Sequence, residues 1–369
     1  MRSEENLYAI ALRHCPLIGD VIFRKLVNEI GSPKEVWELS KSGLQNIFGI
    51  GKKIALEIGN PDHLKFAEKE IEFCEKNNIT INLRHLGDLP TLLNECEDAP
   101  AILYQKGNFD PFRKSVSIVG TRNISHYGKH FIQDFLNTVN GESIMTVSGL
   151  ALGADTEVHE VSIKNNIPTV GVLAHGFHTL YPSKNRKLSQ KILEDNGALL
   201  TEFNSTQKPD RENFIQRNRV IAGLAPATIV VETAFGGGSI STATYANGYN
   251  REVYALPGRI DEKYSQGCNH LIHQNKAAVI STIPSLMEQL GFLYHPEKIG
   301  ELFPTSEIKI VLTKPQENIL NYLDQKIPLS LDELAQKLEV PTYKILPDLL
   351  QLEISGYIKA LSGRKYLAF

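Results

Sequence analysis

Residues 115–122 read SVSIVGTR, a short run of apolar and small side chains that ends in a glycine and, two residues later, an arginine. Val116, Ile118 and Val119 favour an extended strand, because branched apolar side chains pack well on a pleated surface. Gly120 permits a sharp turn after that strand. A helical pattern follows, with Ser125 as a plausible cap. The stretch therefore predicts one strand-turn-helix unit.

Similar short runs recur along the chain, and helical patterns separate them. Several are apolar on both faces, as expected of strands that are covered by helices on either side. The alternation predicts a Rossmann-like, doubly wound α/β core with a mostly parallel sheet. The predicted strands are Ser115–Val119, Ser143–Val147, Thr169–Leu173, Ala198–Glu202, Ala227–Glu232, Glu252–Leu256 and Ala277–Ser281. The predicted helix caps are Ser125, Asp155 or Thr156, Ser183, Asn213 and Ser239.

The residues before this core have a helical pattern. Gly49 and Gly51 lie in a turn that resembles a helix-hairpin-helix turn, in which backbone N–H groups face a phosphate. A tight interhelical turn with solvated Lys52 and Lys53 is the favoured alternative, because acidic and basic residues nearly balance here. We predict an N-terminal helical domain, like a SAM or helix-hairpin-helix domain, over residues 1–85 and the core over residues 86–294.

The residues after the core predict a linker over 295–308 and a winged-helix domain over 309–369, since three short helical patterns precede a hairpin. The third helical pattern carries Lys344 but also Asp348 and Glu353. Such a helix is a poor surface for a phosphate backbone, so we predict a protein-contact module, with duplex reading as the alternative.

The composition excludes several classes of protein. A hydrophobic fraction of 42% and a charged fraction of 22% are ordinary for globular proteins, and no window is apolar for long enough to predict membrane insertion. The N-terminus lacks an apolar signal core, so we expect a cytoplasmic location. The formal net charge of −3 means that any site for a polyanion must be a local patch. Reduced, mostly buried thiols are expected of the scattered cysteines, Cys15, Cys74, Cys96 and Cys268.

Two glycine-containing turns follow the first two predicted strands of the core. In Gly120-Thr121-Arg122, the arginine supplies a forked donor beside a helix N-terminus, which suits a phosphate; an ion pair with an acidic neighbour is an equal alternative. The second turn begins at Ser148 and Gly149, where small residues allow a ligand to approach the backbone closely. Close packing between strand and helix is the alternative there.

A third loop, residues 175–186, combines aromatic rings with basic side chains, including Tyr181, Lys184 and Asn185. This combination is typical of proteins that stack bases and hold phosphates of single strands. His175 and His178 could suggest a metal, but no carboxylate or cysteine cluster accompanies them. No metal site is therefore predicted.

The fourth motif has two parts. Phe214 offers a stacking face, and Asn218 lies between Arg217 and Arg219, which cannot share a helix face because they are two residues apart. We therefore expect one arginine to face a ligand and the other to form a structural pair. The stretch Gly237-Gly238-Ser239 opens a helix whose unpaired N–H groups can hold an anion.

Several common signatures are missing from the sequence. It has no P-loop for ATP, and no Gly-x-Gly-x-x-Gly motif for a dinucleotide follows the first predicted strand. It also has neither a Gly-x-Ser-x-Gly elbow nor a His-Glu-x-x-His helix, the commonest hydrolase signatures. We expect no cofactor and no catalytic site.

In this order, the motifs resemble the DNA-processing protein A (DprA, or Smf) family. The resemblance covers roughly Ala101 to Ser281, and the flanking domains agree with the architecture of that family. The segments that carry it are Val119–Arg122, Ser148–Asp155, Tyr181-Pro182, Arg217–Leu224, Gly237–Ser239, Pro257-Gly258 and Gly267–Ile272.

The resemblance implies a dimeric protein that coats incoming single-stranded DNA, protects it and helps to load the RecA recombinase in natural transformation. It also implies that Arg122 binds phosphate and that Arg217 and Asn218 lie in a basic helix. Lys184 comes two residues after Tyr-Pro, whereas the family often has its basic residue directly after that pair. The predicted DNA-binding residues are Gly120, Thr121, Arg122, Ser148, Gly149, Lys184, Asn185, Phe214, Arg217, Asn218, Arg219, Gly237, Gly238 and Ser239.

An enzyme is the alternative prediction, from a more distant resemblance to the lysine-decarboxylase-like nucleotide phosphoribohydrolases. Residues 236–239 lack that family's Pro-Gly-Gly-x-Gly-Thr form and the catalytic glutamate that follows it. Glu202 and Glu232, at strand ends, are the only obvious carboxylates, and either could pair with an arginine instead.

Overall fold

The structure is a computed structural model that describes residues 2–111, 113–292, 312–323, 328–355, 357–361 and 364–368. The chain divides into two compact units, Met1–Tyr294 and His295–Phe369. The linker predicted at 295–308 lies outside the described residues.

Six helices begin the first unit. They are α1 (Arg2–His14), α2 (Asp20–Ile30), α3 (Pro33–Glu38), α4 (Lys41–Gln45), α5 (Lys52–Glu57) and α6 (Pro61–Lys76). Ser32 and Asn60 cap α3 and α6 with their side chains, and a proline follows each cap at a position where its missing N–H costs nothing. Leu12, Leu26 and Leu44 are fully buried in the core that these helices share.

A nine-stranded sheet forms the centre of the first unit. Its strands are β1 (Ile79–Leu83), β2 (Ile102–Gly107), β3 (Lys114–Val119), β4 (Ile144–Ser148), β5 (Thr169–Val172), β6 (Ala198–Thr201), β7 (Ala227–Val230), β8 (Glu252–Ala255) and β9 (Ala278–Val279). The spatial order is β1-β2-β6-β5-β4-β3-β7-β8-β9. The pairs from β6 to β9 are parallel, and β1–β2 and β2–β6 are antiparallel.

Helices cover both faces of this sheet. They are α7 (Thr91–Asn94), α8 (His126–Thr138), α9 (Ala154–Lys164), α10 (Arg186–Glu194), α11 (Arg211–Gly223), α12 (Gly238–Gly248), α13 (Gln266–His273) and α14 (Ile283–Gln289). Apolar residues of α11, α12 and α13 pack on one face, and those of α8, α9 and α14 pack on the other. Two short 3-10 helices, Arg84–Leu86 and Ser183–Asn185, complete this unit's helical elements among the described residues.

The chain reverses its direction of travel across the sheet between β3 and β7. From β3 the strands proceed outward through β4, β5 and β6, and the chain then returns to place β7, β8 and β9 on the other side. The carboxyl ends of β3 and β7 are therefore neighbours, and the N–H of Val231 donates to the carbonyl of Val119. Open α/β sheets bind ligands at such a topological switch point.

The predicted α/β fold is confirmed, and the seven strands predicted for the core lie within two residues of the observed bounds. Two strands were missed. β1 alternates buried and exposed positions, and β2 is buried only over its first three residues, so neither has the long apolar run of a strand that is buried on both faces. The sheet consequently begins before residue 85, the boundary predicted for the helical domain.

The helix caps were predicted less well. Ser125 caps α8 by accepting from the N–H of Gly128, as predicted. Elsewhere the caps are other residues: Gly153 for α9, Asn185 for α10, Asp210 for α11 and Gly237 for α12. The predicted caps Asp155 or Thr156, Asn213 and Ser239 lie inside their helices, and Ser183 lies in the 3-10 helix before α10. The reason is that α9, α10 and α12 begin without a side-chain cap, whereas Asp210 caps α11.

The second unit contains three helices and a small sheet. They are α15 (Lys314–Tyr322), β10 (Leu329–Ser330), α16 (Leu331–Leu338), α17 (Thr342–Ile354), β11 (Ile358–Leu361) and β12 (Lys365–Ala368). The strands are antiparallel in the order β10-β12-β11, which is the arrangement of a winged helix. Ser330 and Glu333 form a capping box at the start of α16. Residues 362–363 of the predicted hairpin turn lie outside the described residues.

The structure also bears on membrane insertion and on the state of the cysteines. Among the described helices, none is both long enough and apolar enough to cross a membrane. All four cysteines are free and buried. Burial raises the pKa of Cys268 to about 12, so this thiol is protonated at neutral pH and is not a nucleophile.

Candidate functional site

A cavity of about 350 Å³ lies at the switch point between β3 and β7. We call it the switch-point cavity. Its walls come from the loops after β3 and β7, the first turn of α12 and one face of α11. The lining residues are Val119, Gly120, Thr121, Arg122, Ala151, Asp155, Phe214, Arg217, Asn218, Ile221, Thr233, Ala234, Gly237, Gly238, Ser239, Thr242 and Tyr264.

The wall after β3 requires glycine at two positions. A Cβ atom on Gly120 would lie 2.7 Å from the Cβ of Ala154, so any side chain there would separate β3 from α9. Gly153 has a φ of +83°, and a Cβ on it would lie 2.4 Å from the carbonyl oxygen of Thr121. This close contact holds the 120–122 loop in place, and the N–H of Ala154 donates to the same Thr121 oxygen at 3.0 Å.

The opposite wall is the amino end of α12. Gly237 precedes this helix without a side-chain cap. The Oγ of Ser239 is buried and has no hydrogen-bond partner among the described residues, although Ser239 lines the cavity. The unpaired N–H groups of a helix start and a free hydroxyl are groups that can accept an anion as ligand.

Gly237 and Gly238 make different steric demands, and this difference can be tested. A Cβ on Gly237 would lie 2.4 Å from the Oγ1 of Thr233, whereas a Cβ on Gly238 would have nothing within 4 Å. We expect Gly237→Ala to lower the free energy of unfolding by about 1–3 kcal/mol through overpacking. Gly238→Ala should leave it unchanged or raise it by about 0.5 kcal/mol, because alanine has less freedom in the unfolded chain. Urea unfolding would measure both variants, and equal midpoints would contradict this description of the helix start.

Arg217 forms the floor of the switch-point cavity. Its side chain is buried and donates to the carbonyl oxygens of Gly149, at 2.6 Å, and Val172. Burial lowers the pKa of Arg217 to about 10, the Asp155 carboxylate opposes that shift, and Arg122 adds to it. The guanidinium is therefore still protonated at neutral pH, and it supplies a fixed positive charge at the floor of the cavity.

Asp155 is the countercharge of Arg217. Burial raises the pKa of Asp155, and Arg217 and the N–H of Ala151 oppose that shift. The carboxylate accepts from this N–H at 3.1 Å, so it ties α9 to the loop after β4. Asp155 belongs to the sequence motif but is not a predicted site residue, since its electrostatic interaction with Arg217 depends on the tertiary fold.

Arg122 lies at the rim of the cavity and is exposed to solvent. Its guanidinium carbon lies 5.5 Å from the centroid of the Phe214 ring, and that of Arg217 lies 5.9 Å from it, so the phenyl ring contacts two cations. In the part of the chain that the structure describes, Arg122 forms no ion pair. The alternative of an acidic neighbour for Arg122 is therefore wrong for these residues.

Phe214 also contacts a second aromatic ring. The Tyr181 ring packs edge-on against it, with centroids 5.7 Å apart, and 46% of Tyr181 is exposed. His175 positions this tyrosine, because the Nε2 atom of His175 accepts from the N–H of Tyr181 at 3.1 Å. The histidine thus has a structural role in the loop. The structure places an aromatic pair beside two arginines.

Arg219 does not belong to this site, and its prediction as a DNA-binding residue is corrected. It is buried on another side of α11, where it forms ion pairs with Glu202 and, at 3.0 Å, with Asp20 of α2. It also donates to the carbonyl oxygen of Asp98. Two residues along a helix correspond to a rotation of about 200°, so Arg217 and Arg219 face different surroundings.

Three other predicted residues lie close to the cavity without lining it. Ser148 is buried and donates from Oγ to the carbonyl oxygen of Ile118 at 2.7 Å. A Cβ on Gly149 would lie 2.6 Å from the Arg217 guanidinium, so this glycine makes room for the arginine. Asn185 is buried and donates to the carbonyl oxygen of Leu150 at 2.9 Å, which is a structural role and not a ligand contact.

Lys184 is exposed in the 3-10 helix that follows Tyr181 and Pro182, and it is not among the residues that line the cavity. Conversely, Thr233, Ala234 and Tyr264 line the cavity but are not among the residues predicted for the site. The hydroxyl of Tyr264 accepts from the Nδ2 of Asn123 at 2.8 Å, so this ring links two rim loops. Its position between two glycine motifs was the one available signal.

The two carboxylates considered for catalysis, Glu202 and Glu232, both form structural hydrogen bonds. Glu202 accepts from Arg219 and from Nε2 of Gln216. Glu232 accepts from the N–H of Ser125 at 2.8 Å and from its Oγ at 2.5 Å, so it fixes the start of α8. Neither carboxylate is among the residues lining the switch-point cavity.

Comparisons with known proteins agree with one another. Residues 80–291 match the family model of DNA recombination-mediator protein A, and residues 304–364 match a DprA winged helix domain. Protein Smf of Synechocystis is 30% identical, over 99% of each chain. DprA of Streptococcus pneumoniae has a solved structure with a TM-score of 0.66 and 28% identity, covering 79% of this chain and 99% of that one. A structure of DNA processing protein A from Helicobacter pylori, solved to explain its single-stranded DNA binding mode, has a TM-score of 0.53 and 26% identity, covering 59% and 97%.

Proposed function

The chain belongs to the family of DNA recombination-mediator protein A, also called DprA or Smf, and from this we propose that it binds single-stranded DNA at the switch-point cavity. We propose a binding function without a catalytic step on the DNA. The observation that carries the proposal is Arg122, an exposed arginine without an ion-pair partner among the described residues, at the rim of an anion-binding cavity.

The cavity offers two kinds of contact to a single strand. Backbone N–H groups at the start of α12, the Ser239 hydroxyl and the Arg122 guanidinium suit the oxygens of a phosphate. The Phe214 and Tyr181 rings offer stacking surfaces to bases. Bases that are already paired in a duplex are not free to stack on these rings. The site should therefore prefer single strands.

The remaining predicted residues have distinct roles in this proposal. Gly120, Thr121, Gly237 and Gly238 allow backbone approach, Arg217 and Asn218 line the floor, and Lys184 supplies an outer contact beside Tyr181. Ser148, Gly149 and Asn185 support the loops that carry these groups.

The proposal predicts a strand preference and a salt dependence that can be measured together. Labelled single-stranded and duplex oligonucleotides of the same sequence would be titrated with the protein, with fluorescence anisotropy as the readout, at several salt concentrations. We expect the single strand to bind at least about tenfold more tightly. We also expect a slope of about −2 for log K against log salt, corresponding to three phosphate contacts on a single strand.

Equal affinity for the two forms, or an affinity independent of salt, would contradict the proposal. A shallow slope together with a retained strand preference would instead mean that base stacking contributes more to the affinity than phosphate contacts do. A heat-denatured sample of the protein serves as the control for binding by unfolded chain.

Further parts of the proposal rest on family membership. We propose that the protein acts in the cytoplasm as a homodimer, that it protects DNA taken up in natural transformation, and that it helps to load RecA onto the strand. Retention of RecA by the immobilised protein, compared with and without single-stranded DNA, would test the partnership. Sedimentation of the purified protein would test the dimer.

For the winged helix we propose a protein contact. The described part of α17 exposes Tyr343, Leu346 and Leu350, which are spaced so that they share one helix face. Lys344 is the single cation of the described α17 side chains, and Asp348 and Glu353 are on the same helix. An apolar face of this kind is poorly suited to the phosphates of a duplex.

The nucleotide phosphoribohydrolase alternative is not favoured. A catalytic carboxylate must reach its substrate, whereas Glu202 and Glu232 are both used in structural contacts. Release of free base from AMP by the purified protein would contradict this conclusion.

A further inference from the structure

Phe235 is an exposed aromatic residue in the loop after β7, and 68% of it is accessible to solvent. Its neighbours Ala234, Gly237 and Gly238 all line the switch-point cavity. Phe235 is therefore carried by a loop of the cavity wall, although it is not itself among the lining residues. It was not among the aromatic residues that the sequence motifs singled out.

The loop that carries Phe235 is held firmly. The N–H of Gly267, at the start of α13, donates to the carbonyl oxygen of Thr233 at 2.9 Å. A Cβ on Gly267 would lie 2.6 Å from the carbonyl oxygens of Thr233 and Ala234, so only glycine allows this close approach. The base of the loop is consequently fixed to α13.

The ring of Phe235 is also oriented by α13. His270 packs against it in an edge-to-face arrangement, with centroids 4.8 Å apart and an interplanar angle of 62°. This contact leaves most of the phenyl surface exposed to solvent. A ring that is oriented before its partner arrives loses little conformational entropy on binding.

The backbone between Phe235 and the start of α12 is uncrowded. Gly236 follows it with a φ of +72°, and ideal Cβ atoms on Gly236 and Gly238 would have nothing within 4 Å. Tyr264 also lines the cavity, with the Lys263 ammonium 5.6 Å from its ring centroid. Aromatic and cationic groups thus occur together here, as Phe214 and Arg122 do on α11 and the 120–122 loop.

We propose that Phe235, supported by His270, is a second base-stacking site, so that a strand with its phosphates in the switch-point cavity stacks bases on both Phe214 and Phe235. This inference rests on the proposed function. The ligand is any nucleobase of a single strand, because stacking uses the π-face that all bases share. The second site increases the affinity and the number of nucleotides bound, and it does not add a sequence preference.

The test compares two oligonucleotides that have the same phosphates. One is a thymidine oligonucleotide of about ten nucleotides, within the range of about 4–16 nucleotides that single-strand sites cover, and the other is its abasic counterpart. Phe235→Ala is the test variant and Phe235→Trp the conservative one. Ile260→Ala is the matched control, since Ile260 is an 87% exposed apolar residue of the next rim loop. Affinities are measured by anisotropy at one salt concentration.

We expect Phe235→Ala to bind the thymidine oligonucleotide about fivefold or more weakly than the wild type, and the abasic oligonucleotide equally well. Phe235→Trp and Ile260→Ala should both stay close to the wild type. An equal loss of affinity on both oligonucleotides, or no difference between Phe235→Ala and Ile260→Ala, would overturn the inference. If the wild type bound neither oligonucleotide, the proposed function itself would fail, which is a distinct result.

Discussion

Replacing Arg122 with alanine is expected to weaken the binding of single-stranded DNA by about 10- to 100-fold, because hydrogen bonds to charged groups contribute about 1.5–3 kcal/mol each. The slope of log K against log salt should become less steep by about 0.7, since one phosphate contact is lost. The thermal midpoint should not change, because Arg122 is exposed and forms no ion pair with the described residues. Anisotropy titrations and a thermal unfolding curve measure these effects.

Two further variants define the role of this arginine. Arg122→Lys keeps the charge but loses the planar fork that faces Phe214, so its affinity should be intermediate. Arg113→Ala removes the same charge at the amino end of β3, whereas Arg122 follows the carboxyl end. We expect Arg113→Ala to bind almost as the wild type does. Equal affinities of Arg122→Ala and Arg113→Ala would mean that net charge, and not the cavity, determines binding.

Replacing Arg219 with alanine should have the opposite effect, on stability and not on binding. The variant leaves Glu202, with a side chain only 3% exposed, without its arginine, whereas Asp20 keeps its ion pair with Arg13. Breaking a buried ion pair from one side costs about 3–5 kcal/mol, because the remaining charge stays buried. Urea unfolding should show this loss, while the folded variant keeps nearly the DNA affinity of the wild type.

The loss of stability should depend on pH. Burial raises the pKa of Glu202 above its ordinary value of 4.5, and Arg219 opposes that shift. Without Arg219 the pKa of Glu202 in the folded protein should rise further, so that the folded state binds this proton more tightly than the unfolded state does. Stability then falls as the pH rises from about 4.5 through the folded pKa, and the deficit of Arg219→Ala should be larger at pH 8 than at pH 5.

A second substitution checks the cause of that deficit. Glu202→Gln removes the charge that Arg219→Ala leaves unpaired, so the double variant should be more stable than Arg219→Ala alone at pH 8. A double variant that is no more stable would show that Arg219 contributes mainly through packing and its contact with the Asp98 carbonyl. Reduced DNA affinity in folded Arg219→Ala would contradict the structural role and show that Arg219 contributes to binding.

The strands of the parallel sheet and the glycine-rich turns after them could be predicted from the sequence, because their signals are local. Branched apolar residues favour extended backbone wherever both faces are to be buried, as in 115–119 and 227–230. A glycine after such a strand indicates a sharp turn or a close contact, and Gly120 and Gly153 do make such contacts. The same local signal is weaker for β1, in which polar and apolar residues alternate, and for β2, whose second half is polar.

The sequence could not decide which side chains meet. Arg217 and Arg219 are the same residue type on the same helix, yet one lies below the cavity and the other between Glu202 and Asp20. Asp20 is far away in the chain, and its approach depends on how the N-terminal helices pack on the core. Likewise, Phe235 contacts His270 only because α13 packs against the loop after β7. The sequence by itself determined the fold class and the types of group at the sheet rim. The order of the strands, which makes β3 and β7 neighbours, decided which of those groups share one cavity, because burial and ion pairing arise from long-range contacts.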